Sequence, residues 1–137
     1  MAASETIHRY IDALINHGDF GRFFTPDVRF SLEGTDQRGS GAAEVEQAIR
    51  YLHEQAFDAS PELKTLIVEG DHAALEADFV GVHIGEFAGV PPTGRSVRLP
   101  YAVVYDFKDD LIDAVRVYMP VQALVAQLTE EAATVPV

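Results

Sequence analysis

Ile7, Tyr10, Ile11, Leu14 and Ile15 recur at i, i+3, i+4, i+7 and i+8, the spacing of a single helix face. Ser4 ahead of this stripe predicts an N-cap, and Gly18 behind it predicts a stop. Val45, Ala48, Ile49 and Leu52 repeat the spacing after Gly39-Ser40-Gly41, where Ser40 is the expected N-cap. A third, shorter stripe runs through Val121, Leu124, Val125 and Leu128. Each helix has one apolar face and must lie against something else.

The other apolar residues alternate. Val28, Phe30 and Leu32 predict a strand after Pro26-Asp27, and residues 63–69 predict another between Ser60-Pro61 and the Gly70-Asp71 turn. Longer strands are predicted over 73–84, 97–107 and 111–119, the last two joined at Lys108-Asp109-Asp110. Between His83 and Arg98, Pro91-Pro92-Thr93-Gly94 interrupts two apolar runs. Proline fixes its backbone and donates no ladder bond, so this segment reads as a stiff link between strands. Two helices followed by successive strands predict an α+β fold, with a curved and mostly antiparallel sheet wrapped around the N-terminal helices. One domain covers 1–137, and residues 129–137 form an expected frayed tail.

Side-chain parity sorts the two faces of the sheet. Leu75, Phe79 and His83 share the inner face with Val97, Leu99, Tyr101, Val103 and Tyr105. The outer face carries Val80, Val82, Ile84, Ala102 and Val104 between charged residues, a patch that predicts a homodimer through the back of the sheet. Asp106, Arg116 and Tyr118 fall on the same outer face, where Arg116 is expected to pair with an acid at the dimer interface.

Charge narrows the function. The chain carries 22 acidic against 10 basic residues, for a formal charge of −12, which disfavours nucleic-acid phosphates. No apolar run approaches a membrane span and the N-terminus lacks a signal-peptide pattern, so a cytoplasmic protein without a membrane role is expected. Cysteine is absent, which removes disulfides and thiol chemistry, and the five histidines lack metal-ligand spacing. The partner that suits this chain is a small apolar molecule.

His83, Gly85, Phe87, Gly89 and the run Pro91-Pro92-Thr93-Gly94-Arg95, with the strands between Val103 and Tyr118 and the closing Gln127-Leu128, resemble the SnoaL-like polyketide cyclase group of the nuclear transport factor 2-like superfamily. The resemblance implies a cone-shaped fold and an enzyme that moves protons on an apolar, oxygenated substrate such as a polyketide or terpenoid. Aldol cyclisation, isomerisation and dehydration are the reactions implied, and no cofactor is needed. The family's usual last-strand aspartate corresponds to Pro120 here. Where ketosteroid isomerases of the same fold hold an oxyanion aspartate, this chain has Ala102 and Val103, and their base falls near Leu32. The resemblance extends to Tyr10 on the first helix. A non-catalytic ligand-binding protein, or an interaction subunit with a closed cavity, are the alternatives on the same fold.

His83 is the candidate proton carrier, because an imidazole in an apolar hollow exchanges protons near neutral pH, while anchoring the following loop is its other possible role. Tyr10 and Tyr101 are the candidate enolate donors, with Tyr105 behind them. Leu14, Leu32, Phe79 and Met119 are expected to line the substrate site, and Glu33 to supply a carboxylate beside it.

Overall fold

A computed structural model describes residues 2–129, so the expected tail lies outside the described residues apart from Thr129. The elements run α1 (Ala3–Ile15), β1 (Phe24–Leu32), β2 (Arg38–Ser40), α2 (Ala42–Arg50), β3 (Phe57–Glu69), β4 (His72–His83), β5 (Ser96–Lys108), β6 (Leu111–Tyr118) and α3 (Val121–Thr129). A 3₁₀ turn, Phe20–Phe23, leads into β1, and a π-helical turn, Tyr51–Ala56, continues α2 into β3.

The six strands form one curved sheet in the order β2-β1-β6-β5-β4-β3. Every pair is antiparallel except β1 with β6, which run parallel. α1 contacts both β3 and β6, so it lies across the concave face, and α2 packs on β1. Ile7, Tyr10, Ile11 and Leu14 are buried there, as the periodicity predicts. No helix among the described residues is long and apolar enough to cross a membrane.

Several boundaries differ from expectation for physical reasons. α1 begins one residue before Ser4, with Ala2 as its N-cap and Thr6 N–H bonded to the Ala2 carbonyl. α2 is capped by Gly41 at φ 90°, a conformation serine avoids, rather than by Ser40. β3 starts at Phe57 and runs through Pro61, which a strand at the sheet edge tolerates because no neighbour needs its N–H. β5 likewise contains Pro100, but β6 pairs with β5 only from Ala102 onward. Beyond that point Gln127 of α3 acts as a substitute strand. Arg98 N–H donates to its Oε1 at 3.1 Å, and its Nε2 donates to the Arg98 carbonyl at 2.9 Å. The Gln-Leu pair thus closes the sheet edge with Gln127 while Leu128 enters the core.

The short β2 is not visible in the apolar pattern, since Arg38-Gly39-Ser40 pairs with β1 through backbone alone. Arg116 and Asp106 do lie on the outer face. Arg116 pairs with Asp106 of its own chain, at 2.7 and 3.0 Å.

Candidate functional site

The concave face closes over a small cavity between α1, α2 with its π-turn, and the strands β5, β6 and β1. Tyr10, Tyr101, Tyr105 and His53 supply its polar groups, and Leu14, Ile49, Val103, Val115 and Val117 its aliphatic walls. Half-buried Phe30, Ala48 and Leu52 form the remaining side. The volume is about 40 Å³. That holds a water molecule or two, far below the ~300 Å³ of a small-molecule pocket. The ligand-sized hollow expected from the sequence is therefore nearly closed by its own side chains.

His53 is the group that sequence reasoning missed. It sits on the π-helical turn, a widened helix segment that often marks functional positions. Its Nδ1 lies 2.8 Å from the Ile49 carbonyl, which can only accept, so Nδ1 carries the proton and Nε2 the lone pair. That Nε2 is buried and has no hydrogen-bond partner among the described residues. The ring packs edge-on against Phe79 with centroids 5.5 Å apart. Burial holds the imidazole down to about pKa 4, and His17 nearby adds to the shift against the opposing pull of the Ile49 carbonyl and Glu54. The sequence signal was there: Val45, Ile49 and His53 are spaced at i, i+4 and i+8. A polar residue that continues an apolar stripe has a buried place to go.

The three phenols are buried as well. Burial is the main cause that raises the pKa of Tyr10, Tyr101 and Tyr105 above the ordinary phenol range, with no hydrogen bond contributing. Tyr10 and Tyr105 also feel Tyr101 electrostatically, which places the hydroxyls near one another. They stay protonated at neutral pH and are available as donors. Tyr10 is held edge-on by Phe20 and Tyr105 at 5.9 and 5.8 Å, contacts worth roughly 0.5–1.5 kcal/mol each.

His83 is placed differently. It is fully buried on the inner face at the end of β4 but does not line the cavity. Its Nδ1 accepts the Thr93 N–H at 3.1 Å and lies 2.9 Å from Thr93 Oγ1, and its ring tilts against Phe57 at 5.2 Å. Its backbone N–H donates to the Arg95 carbonyl, and its carbonyl accepts from Gly94 N–H, both at 2.9 Å. These bonds make His83 the clasp of the proline loop.

Of the expected lining residues, Leu14 faces the cavity, whereas Phe79 and Met119 are buried outside its lining. Leu32 packs against the core, also outside the lining. Glu33 lies past the end of β1 and accepts a hydrogen bond from Ser31 Oγ. Pro120 is exposed ahead of α3, and its carbonyl accepts from Leu124 N–H at 3.0 Å, so it starts a helix where the family's aspartate is expected.

The depressed imidazole makes His53 a source of acid sensitivity. Above pH 6.5 both the folded and the unfolded chain hold the ring neutral, so it contributes no pH dependence. Between 6.5 and 4 the unfolded chain binds a proton that the folded chain excludes, and stability falls by about 3 kcal/mol across that window. Urea unfolding at pH 7 and pH 5 checks this. The His53→Gln variant is expected to lose about 2 kcal/mol less between those pH values than the parent chain.

The family model described as SnoaL-like polyketide cyclase matches residues 5–128. A Jannaschia sp. CCS1 protein classed as a SnoaL-like polyketide cyclase superposes with TM-score 0.82 at 23% identity, covering 92% of this chain and 90% of its own. A Pseudomonas putida KT2440 protein classed as a polyketide cyclase gives 0.78 at 21%, with 94% and 99% covered. A Kribbella flavida DSM 17836 protein classed as a ketosteroid isomerase gives 0.66 at 22%, with 86% and 77% covered. At these identities the superpositions establish a shared fold. No protein of curated function matches the sequence.

Proposed function

The chain belongs to the SnoaL-like polyketide cyclase family, and from that premise we propose that it is a small-molecule enzyme that moves a proton at a carbon beside a carbonyl. The observation that carries this reading is that His53 lines the same cavity as three protonated phenols, with its Nε2 unpartnered among the described residues. His83, whose Nε2 is equally buried and unpartnered, does not line it. In this reading His53 Nε2 takes the carbon-bound proton and Tyr10 and Tyr101 donate to the enolate oxygen. For cyclisation, the enolate carbon forms a bond to a second carbonyl carbon, and the resulting alkoxide takes a proton back from the imidazolium. For isomerisation, the proton returns to a different carbon. Either way the ring ends neutral and no other reactant is consumed.

The low basicity of His53 bears on the substrate. A base held this low depends on the phenol donors to stabilise the enolate as it forms, and a carbon that is already acidic lowers the demand on it. A methylene flanked by two carbonyls, the repeating unit of a polyketide, is such a carbon. Admission of such a molecule requires the half-buried side made of Phe30, Ala48 and Leu52 to swing aside, since the deeper walls are fully packed. His83 keeps the loop role in this scheme. Exposed Ile67, Val82 and Tyr118 on the outer face favour a homodimer, which native mass spectrometry reads directly.

The test uses 2-tetralone, an apolar ketone whose benzylic C1 is acidified from both sides, and 2-naphthol, the flat mimic of its enol. Enzyme-dependent exchange of the C1 protons in D₂O, followed by NMR and inhibited by 2-naphthol, is the expected result. The 40 Å³ resting volume favours a second reading, a protein whose cavity stays shut. Binding of neither compound supports that reading, and 2-naphthol binding without exchange supports a carrier.

A further inference from the structure

We propose that the open groove at the β2 edge of the sheet is a second binding site, separate from the central cavity, for a small organic oxyanion. The groove measures about 460 Å³, inside the range of small-molecule sites. Arg29, Arg38 and Arg116 line it, with Ala114 and the backbone about Phe30 and Gly39 at its floor.

Strand register places the three arginines on one face of the sheet. Ser31 on β1 is opposite Arg38 on β2 and Arg116 on β6, while Arg29, two residues back, is opposite Ser40 and Ala114. Each arginine thus stands beside small residues, which leaves the hollow open between them. Neighbouring strands lie about 4.8 Å apart, so Arg38 and Arg116 flank Ser31 from either side, roughly 10 Å apart at the backbone. Arg116 is already balanced by Asp106, so the charge an anion would meet comes from Arg29 and Arg38.

The charge pattern of the whole chain makes this cluster exceptional. Acidic residues outnumber basic ones 22 to 10, and Arg9, Arg50, Lys64, Arg98 and Arg116 all have carboxylate partners. Among the described residues Arg22, Arg29, Arg38 and Lys108 have none, and of these Arg29 and Arg38 share one groove. Arg38 uses its Nη1 on the Thr35 and Gln37 carbonyls, at 3.0 and 2.8 Å, which pins the guanidinium in place. Arg116 gives two donors to Asp106 and keeps the rest. The one carboxylate lining the groove, Glu44, is engaged with Ser40 N–H. A planar guanidinium matches the paired oxygens of a carboxylate or phosphate, and the uncharged floor leaves room for a ligand's hydrocarbon body.

Amide NMR titrations with phenyl phosphate, benzoate and neutral benzyl alcohol test the site at low ionic strength. Saturable shifts at residues 29–31, 38–40 and 114–116 are expected for the anions, weakening with salt. Phenyl phosphate alone identifies a phosphate ester site, benzoate alone a carboxylic acid site, and binding of both a general oxyanion site. The Arg29→Ala/Arg38→Ala double variant should bind at least about tenfold more weakly. Arg9→Ala/Arg22→Ala, which changes net charge equally elsewhere, should bind unchanged. The absence of saturable shifts, equal response to benzyl alcohol, or undiminished binding in the first variant would overturn the proposal.

Discussion

Replacement of His53 by glutamine is expected to lower enzyme-dependent proton exchange on 2-tetralone by about 10²–10⁴-fold, the usual contribution of a positioned general base. Glutamine keeps a donor near the Ile49 carbonyl but presents an amide to the cavity, which takes no proton at any accessible pH. The structural reason for the effect is specific. The Ile49 carbonyl fixes the tautomer at 2.8 Å and so leaves the lone pair on Nε2, and no other group competes for it among the described residues. His83→Ala is the informative comparison. Its loss frees Thr93 and loosens the loop, so stability should drop while the pH dependence of turnover stays unchanged. A loss of turnover confined to the His83 variant would move the proton chemistry to the clasp.

Tyr10→Phe is expected to reduce the exchange rate by about 10²–10³-fold, the cost of removing one donor from an enolate oxygen. The ring contacts to Phe20, Phe24 and Tyr105 survive in phenylalanine, so the folded state should change by less than about 1.5 kcal/mol. That combination, a large kinetic effect with little effect on urea unfolding, separates a donor from a core residue. Equal turnover in Tyr10→Phe would place Tyr10 among the packing residues and leave Tyr101 as the donor to test.

The fold was legible in the sequence because it rests on two periods. Spacing at i, i+3 and i+4 marks α1, α2 and α3, and alternation along 73–84 and 97–107 assigns the inner and outer faces of β4 and β5 correctly. What escaped was held by backbone. The strand β2 has no apolar pattern, the capping position of Gly41 depends on its φ of 90°, and β3 passes through a proline that only an edge position allows. The site was half legible. Tyr10, Leu14 and Tyr101 reach the cavity because they lie on stripes that parity resolves. His83 satisfies the same parity, yet it stands at the strand's end beyond the cavity lining, and parity says nothing about position along a strand. His53 continues the stripe of Val45 and Ile49, so its burial was legible, but its place on a π-turn follows from no spacing rule.

The pH profile of 2-tetralone exchange addresses the account most directly, because the buried imidazole differs from a free one chiefly in where it titrates. Between pH 7.5 and 5 the catalysed rate should stay level and then decline toward pH 4, as the ring finally takes up a proton. A half-maximal rate near 6.5, or exchange no faster than in buffer alone, would contradict the assignment of His53 as the base.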